Sequence, residues 1–283
     1  MAIKREAAKK RPKPDARVDW NRIERALRGL CCCRCTVIDT LPFTVASPGR
    51  YCLAANLGFV ESTGAAVTVE ADFVDIDLCG HALVGTAGPL TRASGIRVSG
   101  CKAVRIHNGV VGGFNYGGVF YEGECRFGLV EEIRVAGGTY HGIRMEGTLH
   151  VVRRNQVSGI DNNPDGLTGG NRTTVGIFLA GSGNRVLDND ISEIGIQGGQ
   201  GHGILMNASD KSFVESNRVT NSVATGAGIQ LGHSRDCIVS ANRVINTDLG
   251  IGAYNAGAFV YRDNFTLGCQ SPYANGIDAG NNR

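Results

Sequence analysis

From residue 64 onward, short apolar stretches alternate with polar ones, and the alternation restarts every two dozen residues. The units read HGIRMEGTLHVVRRNQV from residue 141, VGIFLAGSGNRVLDNDI from 175, HGILMNASDKSFVESNRV from 202 and AGIQLGHSRDCIVSANRV from 227. Each opens on a Gly-Ile-x-Leu-like strand, passes a Gly/Ser/Asn turn and closes on a second strand near an Asn. Strand periodicity points Ile229 and Leu231 inward and Gln230 outward. The apolar anchors are Val67, Ile96, Val119, Ile143, Ile177, Ile204, Ile229 and Ile251, spaced 29, 23, 24, 34, 27, 25 and 22 residues apart. The basic period is therefore 22–25 residues, with insertions in some units.

A unit this small cannot bury its inward face alone. Stacked copies bury a continuous core, and each strand pairs with those above and below it. No unit holds a helix-length segment, so helical and leucine-rich solenoids are disfavoured. Asn155, Asn189, Asn217, Asn242 and Asn264 follow their anchors by 12 or 13 residues, and such a row stacks as an amide ladder. About nine rungs at ~4.8 Å make a rod on the order of 40 Å long. Its ends need covers. In Val18–Leu30, Ile23, Leu27 and Leu30 share one helical face behind an Asp19 N-cap, which predicts a capping helix. Residues 1–17 read as a flexible basic arm, 18–35 as the cap and a Cys-rich connector, and 36–283 as the repeat domain.

Composition narrows the picture. Gly makes up 41 of 283 residues without a period of three, which excludes collagen and suits tight turns. No run of 18 apolar residues exists, so no membrane-spanning helix is expected. The net charge of +3 hides an asymmetry: residues 1–30 carry a balance of +6 and the rest −3. A nucleic-acid-binding face is therefore not expected, although the basic arm alone leaves that role open. No apolar run follows the basic start, so the sequence as given reads as cytoplasmic, with secretion left open. The ten cysteines then read as free, mostly buried thiols rather than a disulfide framework. Cys31, Cys32, Cys33 and Cys35 include a C-x-x-C pair, but no second ligand pair lies near it in sequence.

The G-I-x-L…N-x-V units resemble the right-handed parallel β-helix of the pectate-lyase-like superfamily, and more narrowly the CASH and NosD-type repeat proteins. The resemblance covers about residues 36–283. It implies an all-β solenoid, and it leaves function open, because the fold hosts lyases, hydrolases, epimerases, spikes and adhesins. Some members bind Ca2+ through acidic residues.

Insertions in a solenoid gather on one side, often the binding side. Three of them, 158–174, 192–201 and 221–226, fall between the Asn row and the next Gly-Ile strand, and so form one wall of a groove. His141 and His202 precede equivalent Gly-Ile strands two rungs apart, as general base or acid candidates, with Tyr140 as a partner. Arg144, Arg172, Gln197 and Gln200 are candidates to hold a substrate carboxylate. Glu122 and Glu146 are expected on adjacent rungs near Arg97 and Arg144, as a sugar-binding cluster or a salt-bridge ladder. Asp161, Asp165 and Glu193 are the acids of the wall, and the candidates for a Ca2+ site. Gly201-His202-Gly203 resembles a polygalacturonase motif, but Asn246-Thr247-Asp248 follows it instead of preceding it and no Asp-Asp pair exists. That argues against the hydrolase.

Proton abstraction from an acidic sugar, by a lyase or an isomerase/epimerase, is the expected activity. The epimerase D-P-H motif is absent. A non-catalytic carbohydrate-binding or structural rod is the alternative, and a small-molecule isomerase or cyclase a further one. The substrate is an acidic oligosaccharide or a small molecule, and assembly into a homo-oligomer is left open.

Overall fold

The computed structural model describes residues 35–88, 91–161, 173–195, 200–222 and 226–283. All belong to one compact unit, Cys35–Arg283. The basic arm, the expected capping helix and Cys31–Cys33 lie outside the described residues.

The unit is a right-handed parallel β-helix. Ten strands, from Phe43–Val45 to Ser271–Ala274, stack in one parallel sheet. The other eighteen form the second and third faces. These two faces merge because the strands Arg105–Gly112 and Leu129–Gly138 run unbroken through the corner between them. The sequence anchors form a single column: Val67 pairs with Ile96, then Val119, Ile143, Ile177, Ile204, Ile229 and Ile251 follow in register. Phe43 precedes the column and Tyr273 ends it. The anchors from Val67 to Ile251 are buried in one continuous apolar core.

The Asn row lies at a corner, fully buried. The side-chain oxygen of Asn189 accepts both N–H and Nδ2–H of Asn155 at 3.0 Å, and the pattern repeats through Asn217, Asn242 and Asn264. Asn282 adds a sixth residue and a fifth step. Each Nδ2 from Asn155 to Asn264 also donates to the carbonyl of a core Val on the rung below. A second corner uses mixed side chains. His150 Nδ1 accepts from Gly128 N–H, Asn184 Oδ1 from His150 N–H and Ser212 Oγ from Asn184 N–H. These side chains cap backbone donors that the turns leave out of the sheet ladders.

The Gly of each Gly-Ile pair also faces the core. A Cβ on Gly142 would lie 2.5 Å from Val157 Cγ1 and 2.6 Å from Gly176 O, so only glycine fits. Gly and Ile facing inward in succession break the strict alternation. The residue before the Gly is thereby turned to the outer surface, on the side of Arg144. Strict alternation from Ile143 would have sent His141 into the core.

The cysteines depart from expectation at one place. Cys35 and Cys52 form a disulfide, which fastens the first described residue to the next rung. The sequence offered no spacing signal for this pair; their contact follows from rung stacking. Cys101, Cys125 and Cys237 are free and buried, and Cys79 and Cys269 are free and half-buried.

Candidate functional site

A cleft of about 590 Å³ lies along the ten-stranded sheet, over the rungs that begin at His141, Val175, His202, Ala227 and Leu249. These five residues are its first column. Phe178, Leu205 and Gln230, three positions along their strands, form the second, and Asn207 and Tyr254 the third. Tyr140, Thr173, Gln200, Gly226 and Asp248 make the opposite edge. Thr173, Gln200 and Gly226 border the predicted wall insertions, so the described ends of those insertions do sit on one side of the cleft. A second recess of similar size lies among Asn242, Asp263 and Arg283 on another face, and it contains no histidine.

His141 and His202 occupy equivalent positions, with Val175 between them in register. Two rung spacings separate them by about 10 Å. Both are almost fully buried. Burial, with the Arg144 charge nearby, holds the His141 imidazole well below the usual histidine range. Burial alone lowers His202 to about 4. Both rings are therefore neutral at pH 7. The Ala227 N–H donates to Nδ1 of His202 at 3.2 Å, which leaves the proton on Nε2. His202 is then a hydrogen-bond donor rather than a base. His141 Nδ1 is buried without a hydrogen-bond partner. Its ring lies 3.7 Å from the Tyr140 ring and 5.3 Å from Phe178.

Arg144 borders the cleft without lining it. Its guanidinium is bonded to Glu146, lies 4.8 Å from the Phe178 ring centre and 5.2 Å from that of Phe120, and donates to the Tyr140 hydroxyl at 3.4 Å. With that oxygen accepting, the phenol keeps its own proton to donate. Of the two expectations for Glu122 and Glu146 on adjacent rungs, the ion pairs with Arg97 and Arg144 are present. A bulge between Tyr121 and Cys125 shifts the register, Glu122 pairs with Arg97, and Glu146 with Arg144 on its own strand.

Of the wall residues, Gln200 lines the cleft. Asp165, Arg172 and Gln197 lie outside the described residues. Asp161 follows the strand Gln156–Ile160, and its N–H donates to Gly138 O. Glu193 is exposed on a different sheet, at φ 57°. Neither is among the described residues that line the cleft. Among the described residues no three His, Cys, Asp or Glu side chains gather as metal ligands.

Three polar cleft residues were outward positions of the repeat without a signal of their own: Asn207, Gln230 and Tyr254. Asp248 is the single carboxylate among the described lining residues. Its Asn-Thr-Asp context was visible in the sequence, but only as an out-of-order hydrolase motif.

Residues 168–274 match the family described as periplasmic copper-binding protein (NosD). The chain is a right-handed parallel β-helix protein. Among solved structures, the β-helix resembles the Dettilon tailspike protein at 13% identity and TM-score 0.54, over 88% of this chain and 59% of that one. It thus spans less than two thirds of that tailspike chain. Weaker likenesses include the catalytic domain of a GH87 α-1,3-glucanase (13% identity, TM-score 0.43, 87% of this chain and 63% of that one). Another is an alginate lyase from Paenibacillus sp. str. FPU-7 (13%, 0.37, 85% and 99%). No curated protein matches the chain in sequence. The NosD description names copper, but among the described residues no three His, Cys, Asp or Glu side chains gather into a set that would hold a copper ion.

Proposed function

We propose that the chain is a carbohydrate-active enzyme that binds an acidic saccharide in this cleft and removes a proton from it, as a lyase or an isomerase. The observation that carries the reading is the composition of the cleft: one carboxylate, Asp248, shares it with neutral hydrogen-bond donors. Proton abstraction beside a sugar carboxylate needs one base, and donors aimed at the oxygens that gain charge. Asp248 is the base. Nε2–H of His202 and the amide of Gln230 are the donors. The protonated Asp248 then passes that proton to the leaving oxygen, while Tyr140, four rungs away at about 19 Å, meets the saccharide elsewhere in the cleft. Glycoside hydrolysis in its usual form needs two carboxyl groups across the bond, roughly 5–10 Å apart, and the described lining residues supply one.

Two observations support a location outside the cytoplasm. The matching family is described as periplasmic, and a Cys35–Cys52 disulfide suits an oxidising compartment. A second reading, binding without turnover, draws support from the two histidines, which burial holds neutral and makes weak bases.

Proton NMR of uronate polymers incubated with the protein, with and without calcium, separates these readings. New unsaturated ends mark a lyase and altered stereochemistry an isomerase. Either signal should fall about 10²–10⁴-fold in Asp248→Asn, the usual scale for removing a general base. Ligand-induced shifts without any product would favour the binding reading. A product formed equally well by Asp248→Asn would remove Asp248 from the mechanism.

A further inference from the structure

The third column of the cleft carries Ala180, Asn207, Gly232 and Tyr254 on successive rungs. Tyr254 does not stand out from the sheet. A Cβ on Gly232 would lie 2.7 Å from Tyr254 Cε1 and closer still to Cζ and the hydroxyl. The ring therefore lies flat along the stack, over the bare backbone of the preceding rung. His233 meets it edge-on, at 5.5 Å and 84°. With Gly232 beneath it and His233 beside it, the ring is held in place, and the residue keeps 39% exposure in the cleft. An immobilised aromatic face opening into a polar cleft is a surface on which the C–H face of a pyranose stacks at little entropic cost.

Tyr254 and Asp248 belong to the same rung, at opposite edges of the cleft. The strand between them, Leu249–Tyr254, places them six residues apart, about 20 Å at the usual strand rise. One sugar ring cannot touch both.

We infer that Tyr254 is a saccharide-stacking platform remote from the reacting centre, and that the ligand is an oligosaccharide lying along the strands, across the stack of rungs, with one ring on Tyr254 and another at Asp248. The inference rests on the carbohydrate reading above and adds to it the ligand's length, its direction and a specificity residue. Tyr254 touches only the distant ring, so it contributes binding that is the same in ground and transition states.

The test uses the full chain and uronate oligomers of one to six residues, with affinity read by calorimetry. In the wild type, affinity should climb with length until the ligand spans both edges, then level off. Tyr254→Ala should flatten that climb, weakening the longest oligomer about tenfold while leaving the monomer unchanged; Tyr254→Phe should keep it. Gly232→Ala should act like Tyr254→Ala by lifting the ring from its bed. Far-UV circular dichroism checks that each variant keeps its fold. If turnover is found, Tyr254→Ala should raise KM and leave kcat in place. Oligomer binding that Tyr254→Ala leaves intact would overturn the platform but not the carbohydrate reading. A wild type that binds no oligomer would overturn both.

Discussion

The backbone N–H of Ala227 donates to Nδ1 of His202, and this one bond from the next rung fixes which ring nitrogen carries the proton. The ring is also buried, which lowers its pKa to about 4. Folding therefore binds His202 in its neutral form, whereas the unfolded chain protonates near 6.5. The unfolded state takes up the extra proton between these values, so stability is full above about pH 6.5 and falls as the pH drops towards 4. The expected loss is about 3 kcal/mol over that window. Urea midpoints at pH 7 and pH 4.5 measure it. His202→Gln, which keeps an acceptor but does not titrate, should flatten much of the difference. His141, lowered in the same direction, accounts for the remainder.

The Asn ladder is the second point of stability. Asn217 donates from Nδ2 to Val186 O, Glu215 O and Asn242 Oδ1, and its own oxygen accepts twice from Asn189. Asn217→Ala would leave several buried groups unpaired at once, at about 1–3 kcal/mol each before relaxation. A total loss of about 3 kcal/mol or more is expected. Asn246, whose side chain bonds only Asn221 at the surface, should cost under about 1 kcal/mol when changed to Ala. Equal losses at the two positions would mean that the ladder carries no special weight.

The fold was far more legible than the site. Anchor spacing and the Asn row are repeated many times over, so each unit corroborates the next, and all eight anchors stand in one column. Asn282 escaped notice because no anchor strand precedes it at the usual interval. The site depends on features that occur once. His141 and His202 were visible because each breaks a repeat at the same place. Tyr254 was marked only as one outward position among several and Asp248 only as part of an out-of-order motif, because what singles them out is their place at the two edges of the cleft and the glycine beneath the Tyr254 ring. The acids Asp161 and Glu193 lie at the starts of two insertions in sequence, but the described strands at those starts, Gln156–Ile160 and Asp190–Ile194, belong to a different sheet from the one that floors the cleft. Cys35 and Cys52 are the reverse case, since stacking joins residues with no sequence signal.

Glu131 tests how much a buried charge matters on the face away from the cleft. Its side chain is buried, 2% exposed, and its carboxylate accepts from Arg105, Arg153 and Arg154. Burial pushes its pKa up, but hydrogen bonds and charge from Arg153 and Arg105 outweigh it, and the net shift is downward. A carboxyl lowered in the folded state lends stability above its unfolded pKa and loses it as the pH falls through the folded one. Glu131→Gln removes the charge but not the volume and leaves three guanidiniums facing one another. Because the three arginines are themselves 39–48% exposed and solvent screens them, a loss of about 1–3 kcal/mol at pH 7 is expected. Glu132→Gln, exposed and bonded to Arg154, should cost under about 1 kcal/mol. Denaturation of the two variants in parallel makes the comparison, and equal costs would refute it.

Gly203 links the core to the cleft. A Cβ there would lie 2.7 Å from Gly228 O and collide with Val219 Cγ1, so Gly203→Ala forces either the rung spacing or the opposite sheet to give. Overpacking of this kind costs about 1–3 kcal/mol, which should appear as a lower unfolding midpoint. A second consequence is local. Gly203 faces inward directly before Ile204, and that double inward step turns His202 to the cleft. If the strand relaxes by restoring strict alternation, His202 leaves its bond to Ala227 and gains water. Its pKa should then rise from about 4 towards the ordinary histidine value, which an NMR titration of the ring carbons would follow. Gly100, at φ 63° with open space around it, is the control: replacing it strains the backbone locally but should leave the His202 titration unmoved. A His202 titration that stays near 4 in Gly203→Ala, with stability reduced, would mean that the histidine is held by its neighbours rather than by the Gly-Ile step.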